Sequence, residues 1–218
     1  MPRRRKKGIR SLKPTLHIFC EGEKTEPGYF DGYLDTYDIR RLKVIKIEKA
    51  KSNTPVQLVE EAIAFKRGKE AAREDEFWVV YDRESPNKYD DKLHQAAFDK
   101  AAAQDIQIAL SNVCFEVWIL LHFCYQSRSY TSYDDLIKNS PLKDKLAKIG
   151  KSSYKKNDSR ALFDLIEQSI PQARRRAKKM NQHTQQSAPS SHTLPFLLNP
   201  YTDVYRLLDA IDEFVKSR

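Results

Sequence analysis

Residues 76–85 read EFWVVYDRES. Five apolar residues, Phe77 to Tyr81, follow one another without a polar break and end on an acid-rich turn, Asp82-Arg83-Glu84. A continuous apolar run of this length predicts a strand buried on both faces, as in the middle of a sheet covered by helices. A strand of that kind needs neighbours, and the flanking sequence supplies them. Upstream, TLHIFC (15–20) is a second apolar run of strand length, and LKVIKIEKA (42–50) alternates with period two. Downstream, IQIALS (106–111) reads as a fourth strand.

Helical patterns separate the strands. Tyr29, Phe30, Tyr33, Leu34 and Tyr37 recur at helical spacing, with Pro27 acceptable in a first turn. In TPVQLVEEAIAFKR, Thr54 and Gln57 stand at capping-box spacing and Pro55 takes the first helical position. NKYDDKLHQAAFDKAAAQ predicts a third helix. Alternation of strand and helix from 15 to about 111 predicts an α/β fold of three layers around a mostly parallel four-stranded sheet. After that the chain turns helical. CFEVWILLHFCY is apolar nearly all round, which predicts a buried helix. Amphipathic segments follow near 132–149 and 159–180, the second interrupted at Pro171. The polar stretch 181–192 reads as a mobile loop, and Val204, Leu207, Leu208, Ile211 and Val215 form a closing stripe. The expected organisation is a basic tail (1–14), an α/β domain (15–125) and a helical C-terminal extension (126–218).

The 218 residues carry 39 Lys and Arg against 30 Asp and Glu, a formal charge of +9. Such a surface favours a polyanion, nucleic acid first. The three cysteines, Cys20, Cys114 and Cys124, form no CxxC pair, which argues against a disulfide framework or a zinc site. MPRRRKKGIR leads into no apolar signal region, and VWILLHFCY is too short to span a bilayer, so the reading is a cytoplasmic protein that makes no use of a membrane.

In open parallel sheets, sites form beyond the carboxyl ends of the strands. The first strand is followed by Glu21-Gly22-Glu23 and the third by Asp82-Arg83-Glu84, so both acidic groups reach one edge. Asp82 and Glu84, at i and i+2, can project together from extended backbone. Oxygen donors without nearby Cys or His suit Mg²⁺ or Mn²⁺. On a basic chain the matching chemistry is phosphodiester cleavage. Glu116, inside NVCFEVWILLHFCY, adds a carboxylate at a helix start just after the fourth strand. Blander readings remain open: a turn pairing of Glu21 with Lys24, a helix cap or surface ion pair for Asp82, a structural salt bridge for Glu116. A phosphate-binding G-x-x-x-x-G-K-[ST] loop is excluded, since FCEGEKTEP (19–27) holds a single glycine. Basic residues suited to phosphates are Lys24 and Arg83 beside the acids, Lys155 and Lys156 in SYKKND, and Arg174 and Arg175 in a later run, which otherwise form a solvated helix face.

FCEGEKTEPGYF, VVYDRES, SNVCFEVWILLHF, YKKND and NPYTDVYRLL, in this order, resemble the RloB-like family, which includes the AbiLii-type abortive-infection proteins. The resemblance spans residues 17 to about 208. It implies a Toprim-like domain in which Glu21 matches the glutamate after strand one and Asp82 the first acid of a D-x-D after strand three. Glu84 stands where the second aspartate is expected and lengthens that side chain. The implied function is a Mg²⁺- or Mn²⁺-dependent nuclease in antiphage defence, acting on RNA in preference to DNA and often beside an ATPase partner of the RloA type. Glu21, Asp82 and Glu84 would be catalytic, with Glu116 a further metal ligand. The alternative is a non-catalytic nucleic-acid-binding or adaptor subunit docked on such an ATPase.

Overall fold

The computed structural model describes residues 13–48, 54–151 and 158–217. Lys155 and Lys156 and most of the basic tail lie outside them. Five strands form one sheet in the order β2-β1-β3-β4-β5: β1 Leu16–Cys20, β2 Ile45–Glu48, β3 Glu76–Asp82, β4 Gln107–Asn112 and β5 Tyr201–Thr202. The first four run parallel, and β5 is antiparallel to β4. The apolar run 77–81 is indeed central, with β1 on one side and β4 on the other.

Strand residues alternate between two cores, as period two requires. Phe77, Val79 and Tyr81 face one layer, which contains α2 (Pro55–Lys66) and α3 (Asp91–Ala103). Trp78 and Val80 face the other, which contains α1 (Thr25–Thr36), α4 (Glu116–Phe123), α7 (Ser159–Ile166), α8 (Ile170–Ser187) and α9 (Val204–Lys216). Two short helices, α5 (Tyr133–Asn139) and α6 (Leu142–Lys148), complete the chain order. Local chemistry sets the helix starts. The Thr54 hydroxyl accepts from Gln57 N and donates to the Gln57 side chain, and Pro55 opens α2. Asp90 caps α3 through Leu93 N. Among the described residues no helix is long and apolar enough to cross a membrane.

Three features depart from the sequence reading, and each has a physical cause. The sheet has five strands rather than four. Residues 201–202 pair with Ser111 and Asn112, and the Asn112 amide donates to the carbonyls of Phe196 and Leu198, holding that segment on β4. The polar stretch from 181, expected as a loop, stays helical to Ser187 because Asn181 is buried and bonded to both the N–H and the carbonyl of Thr202. The break near Pro171 falls earlier, at a 3₁₀ turn over Glu167–Ser169, and Pro171 sits in the first turn of α8, where its missing N–H costs nothing. Residues beyond 125 share one apolar core with the first half of the chain: Leu162, Phe163, Met180 and Leu208 pack with Tyr29, Phe30 and Trp118.

The approach of α1 to α7 depends on two glycines. A Cβ on Gly28 would stand 2.0 Å from Ser159 Oγ, and one on Gly32 would stand 2.5 Å from the Phe163 ring. Both helices can therefore meet backbone against side chain. Gly32→Ala is expected to destabilise the fold by about 1–3 kcal/mol through overpacking, and Phe163→Leu in the same background to recover part of it. Urea unfolding of the three proteins checks this, and no loss in Gly32→Ala would refute the close packing.

Candidate active site

The parallel ladder carries the acids to the carboxyl edge of the sheet. Glu21 N donates to Val80 O at 2.9 Å, so β1 keeps its pairing with β3 for one residue past its end. The Glu21 carboxylate then accepts from Asp82 N (3.2 Å) and from the Tyr89 hydroxyl (3.3 Å). Asp82, the last residue of β3, is 8 % exposed. Glu116 opens α4 and is 1 % exposed. Glu84 has φ 58°, a left-handed backbone that few non-glycine residues adopt, and its N–H donates to Val113 O. That turn directs its side chain to Lys88 (2.7 Å).

These four acids line one crevice of about 500 Å³, and so do Glu23, Glu26, Lys24, Lys88 and Tyr89. Glu26 was not singled out by the sequence reading. It lies in the first turn of α1 and is 6 % exposed. Its carboxylate folds over Gly22, where an added Cβ would stand 2.0 Å from Oε2. Lys88 and Tyr89, on the turn between β3 and α3, were missed as well. The available signal was position: both the first turn of α1 and the turn after β3 face the edge where the acids emerge.

Electrostatics follow from crowding like charges in a dry wall. Burial pushes the Asp82 carboxyl well above its ordinary range, and the charges of Glu26, Glu116, Glu21 and Glu84 push it further. Glu21 is also raised by burial, partly offset by the bond from Asp82 N and by the Lys88 charge. Burial raises the Cys114 thiol, and the charges of Glu116 and Asp82 raise it further.

The basic residues expected at a polymer are placed differently from one another. Lys24 is exposed at the crevice. Arg83 is 5 % exposed and turned inward: its guanidinium donates to the carbonyls of Phe196 and Tyr89 and pairs with Asp91 at 2.6 Å. It fastens the turn after β3 to the segment before β5, so its donors are spent on protein. Arg174 is likewise engaged by Asp209, Asp212 and the Tyr33 hydroxyl, and Arg175 beside it is exposed on α8.

The donor set fits a hard divalent cation in its chemistry: carboxylate oxygens in a net-acidic crevice. The placement is looser than the chemistry. Among the described residues no group of three or more His, Cys, Asp or Glu side chains is drawn together closely enough to hold a metal ion. Glu21 is tied to Asp82 N and Tyr89, and Glu84 to Lys88, so these carboxylates must turn before they converge.

The repulsion at Asp82 has a thermodynamic signature. Its folded pKa stands above the unfolded value near 3.8, so the group costs stability at high pH, and that cost shrinks as pH falls below the raised value and is gone only below the unfolded one. Asp82→Asn should raise Tm by about 2–4 °C at pH 7.5, the effect of roughly 1 kcal/mol in a chain of this size. The gap to wild type should close on acidification. Burial holds His94 (about 4) and His122 (about 3) neutral, which lowers stability as pH falls below their unfolded value of 6.5. That contribution cancels when variant and wild type are compared at the same pH. An Asp82→Asn protein melting at or below wild type at pH 7.5 would contradict the assignment.

A family model described as RloB-like protein matches residues 16–211. No curated protein matches the chain, and no solved structure does.

Proposed function

The chain belongs to the RloB-like family, and from that premise we propose that it is a metal-dependent nuclease that hydrolyses phosphodiesters of RNA or DNA. One observation carries the reading: acids from the end of β1, the end of β3, the first turn of α1 and the first turn of α4 line one crevice at the carboxyl edge of the sheet. Buried like charges cost stability, and a protein retains them where chemistry needs them. The net charge of +9 supports a polyanionic substrate. Asp82, Glu84 and Glu116, with Glu21 and Glu26 beside them, would hold Mg²⁺ or Mn²⁺. Such a cation, when bound, supplies polarisation of the phosphate and a lowered pKa for the attacking water.

The chain's own residues supply the rest. Glu21, fixed by Asp82 N and the Tyr89 hydroxyl and raised by burial, takes the proton of the attacking water. Lys24 and Lys88 offer ammonium groups to phosphate oxygens at the same crevice. Lys155 and Lys156 are, from their sequence context, further candidates for phosphate contact, with RNA the favoured polymer. In this reading the protein is an antiphage effector that acts beside an ATPase of the RloA type, as the family resemblance implies.

Cleavage of end-labelled RNA and DNA with Mg²⁺ or Mn²⁺ tests the proposal. Wild type is expected to cut, and Glu21→Gln and Asp82→Asn to lose at least about 100-fold in rate. Equal cleavage by all three, or none by any folded protein with either metal, would refute it. Gly22→Ala is expected to slow cleavage as well, since the new methyl displaces the Glu26 carboxylate, while circular dichroism stays that of wild type. Unchanged cleavage in Gly22→Ala would remove Glu26 from the site.

The open placement of the carboxylates favours a second reading, a non-catalytic nucleic-acid-binding or adaptor subunit docked on the ATPase. It requires salt-dependent oligonucleotide binding that survives Asp82→Asn, without cleavage.

A further inference from the structure

Lys88 brings a cation into the acidic crevice. Its Nζ lies 2.7 Å from Glu84 Oε1 and 5.0 Å above the centre of the Tyr89 ring. Tyr89 in turn donates its hydroxyl to Glu21, so one short turn places an ammonium against one acid and a hydroxyl against another. The left-handed backbone of Glu84 is what faces its carboxylate toward Lys88 four residues later. Pairing of Glu84 Oε1 at 2.7 Å opposes a divalent cation on the same carboxylate, because the ammonium and the doubly charged ion would then stand side by side. The lysine is well suited to leave. Its side chain is 48 % exposed, its stem is flexible, and its ammonium serves a phosphate oxygen as readily as a carboxylate.

We propose that Lys88 is an exchangeable counter-ion: it holds on Glu84 the place a divalent cation would take, must leave for the cation to load, and then faces the phosphate at the crevice mouth. The proposal rests on the metal-dependent reading above. It makes Lys88 a residue with opposed effects on two steps, hindering cation loading and assisting cleavage. A lysine that only braced the turn would weaken both or neither.

Calorimetric titration of Mn²⁺ into the full chain at low ionic strength separates these cases without a nuclease assay. Lys88→Met is expected to bind Mn²⁺ about three- to tenfold more tightly than wild type, the effect of removing one partly screened charge beside the ion. Lys88→Arg should stay near wild type, and Glu84→Gln added to Lys88→Met should abolish the gain. Added salt should shrink it. In parallel, Lys88→Met is expected to cleave about tenfold more slowly at saturating Mn²⁺. Unchanged or weaker Mn²⁺ binding by Lys88→Met, beside a wild type that binds, would overturn the exchange and leave the nuclease reading standing. If Mn²⁺ binds none of the proteins, the metal-dependent reading fails, and the role of Lys88 fails with it.

Discussion

The pairing of β1 with β3 does not stop where the apolar residues stop. Glu21 N still reaches Val80 O, and the Glu21 carboxylate then receives the N–H of Asp82. Through those two bonds the ladder that builds the core also sets the separation of two acids some sixty residues apart in sequence. Everything else at the site is arranged around this pair. Helix α4 follows β4 directly and delivers Glu116, and α1 follows Glu21 after a short turn and delivers Glu26. Arg83, immobilised on Phe196, Tyr89 and Asp91, keeps the turn after β3 from moving away.

The cost of this arrangement is electrostatic, and the core carries it. Asp82 is buried among other carboxylates, which by itself disfavours the folded state. On the same side of the sheet, α4 is buried on every face, and Tyr29, Phe30, Phe115, Trp118 and Phe163 interlock edge to face around it. Dense aromatic packing next to the repulsive acid cluster offsets its cost on the same face of the sheet.

Much of the fold was legible because its signals are local. The run 77–81 announced a central strand, period two announced β2, and Thr54-Pro55-Gln57 announced a helix start, each from residues close in sequence. The misreadings share one cause, a distant partner that overrides local character. Residues 181–187 look like a loop by composition, yet Asn181 is captured by Thr202. Tyr201 and Thr202 carry no strand signal in so short a stretch, yet the edge of β4 recruits them as a strand. Arg83 and Arg174 look like surface cations, yet acids and carbonyls elsewhere claim their donors.

The same division runs through the site. The sequence by itself determined that Glu21, Asp82 and Glu84 emerge at one edge, because alternation of strand and helix implies parallel strands, whose carboxyl ends share an edge. It also determined that Glu116 sits at a helix start beside them. Only the tertiary structure decided that Glu26 completes the acid set, that Lys88 rather than Arg83 offers its charge to it, and that the carboxylates stand apart. Those outcomes depend on the approach of α1 to Gly22 and on the backbone twist at Glu84, distances of a few ångströms that no spacing in the chain encodes.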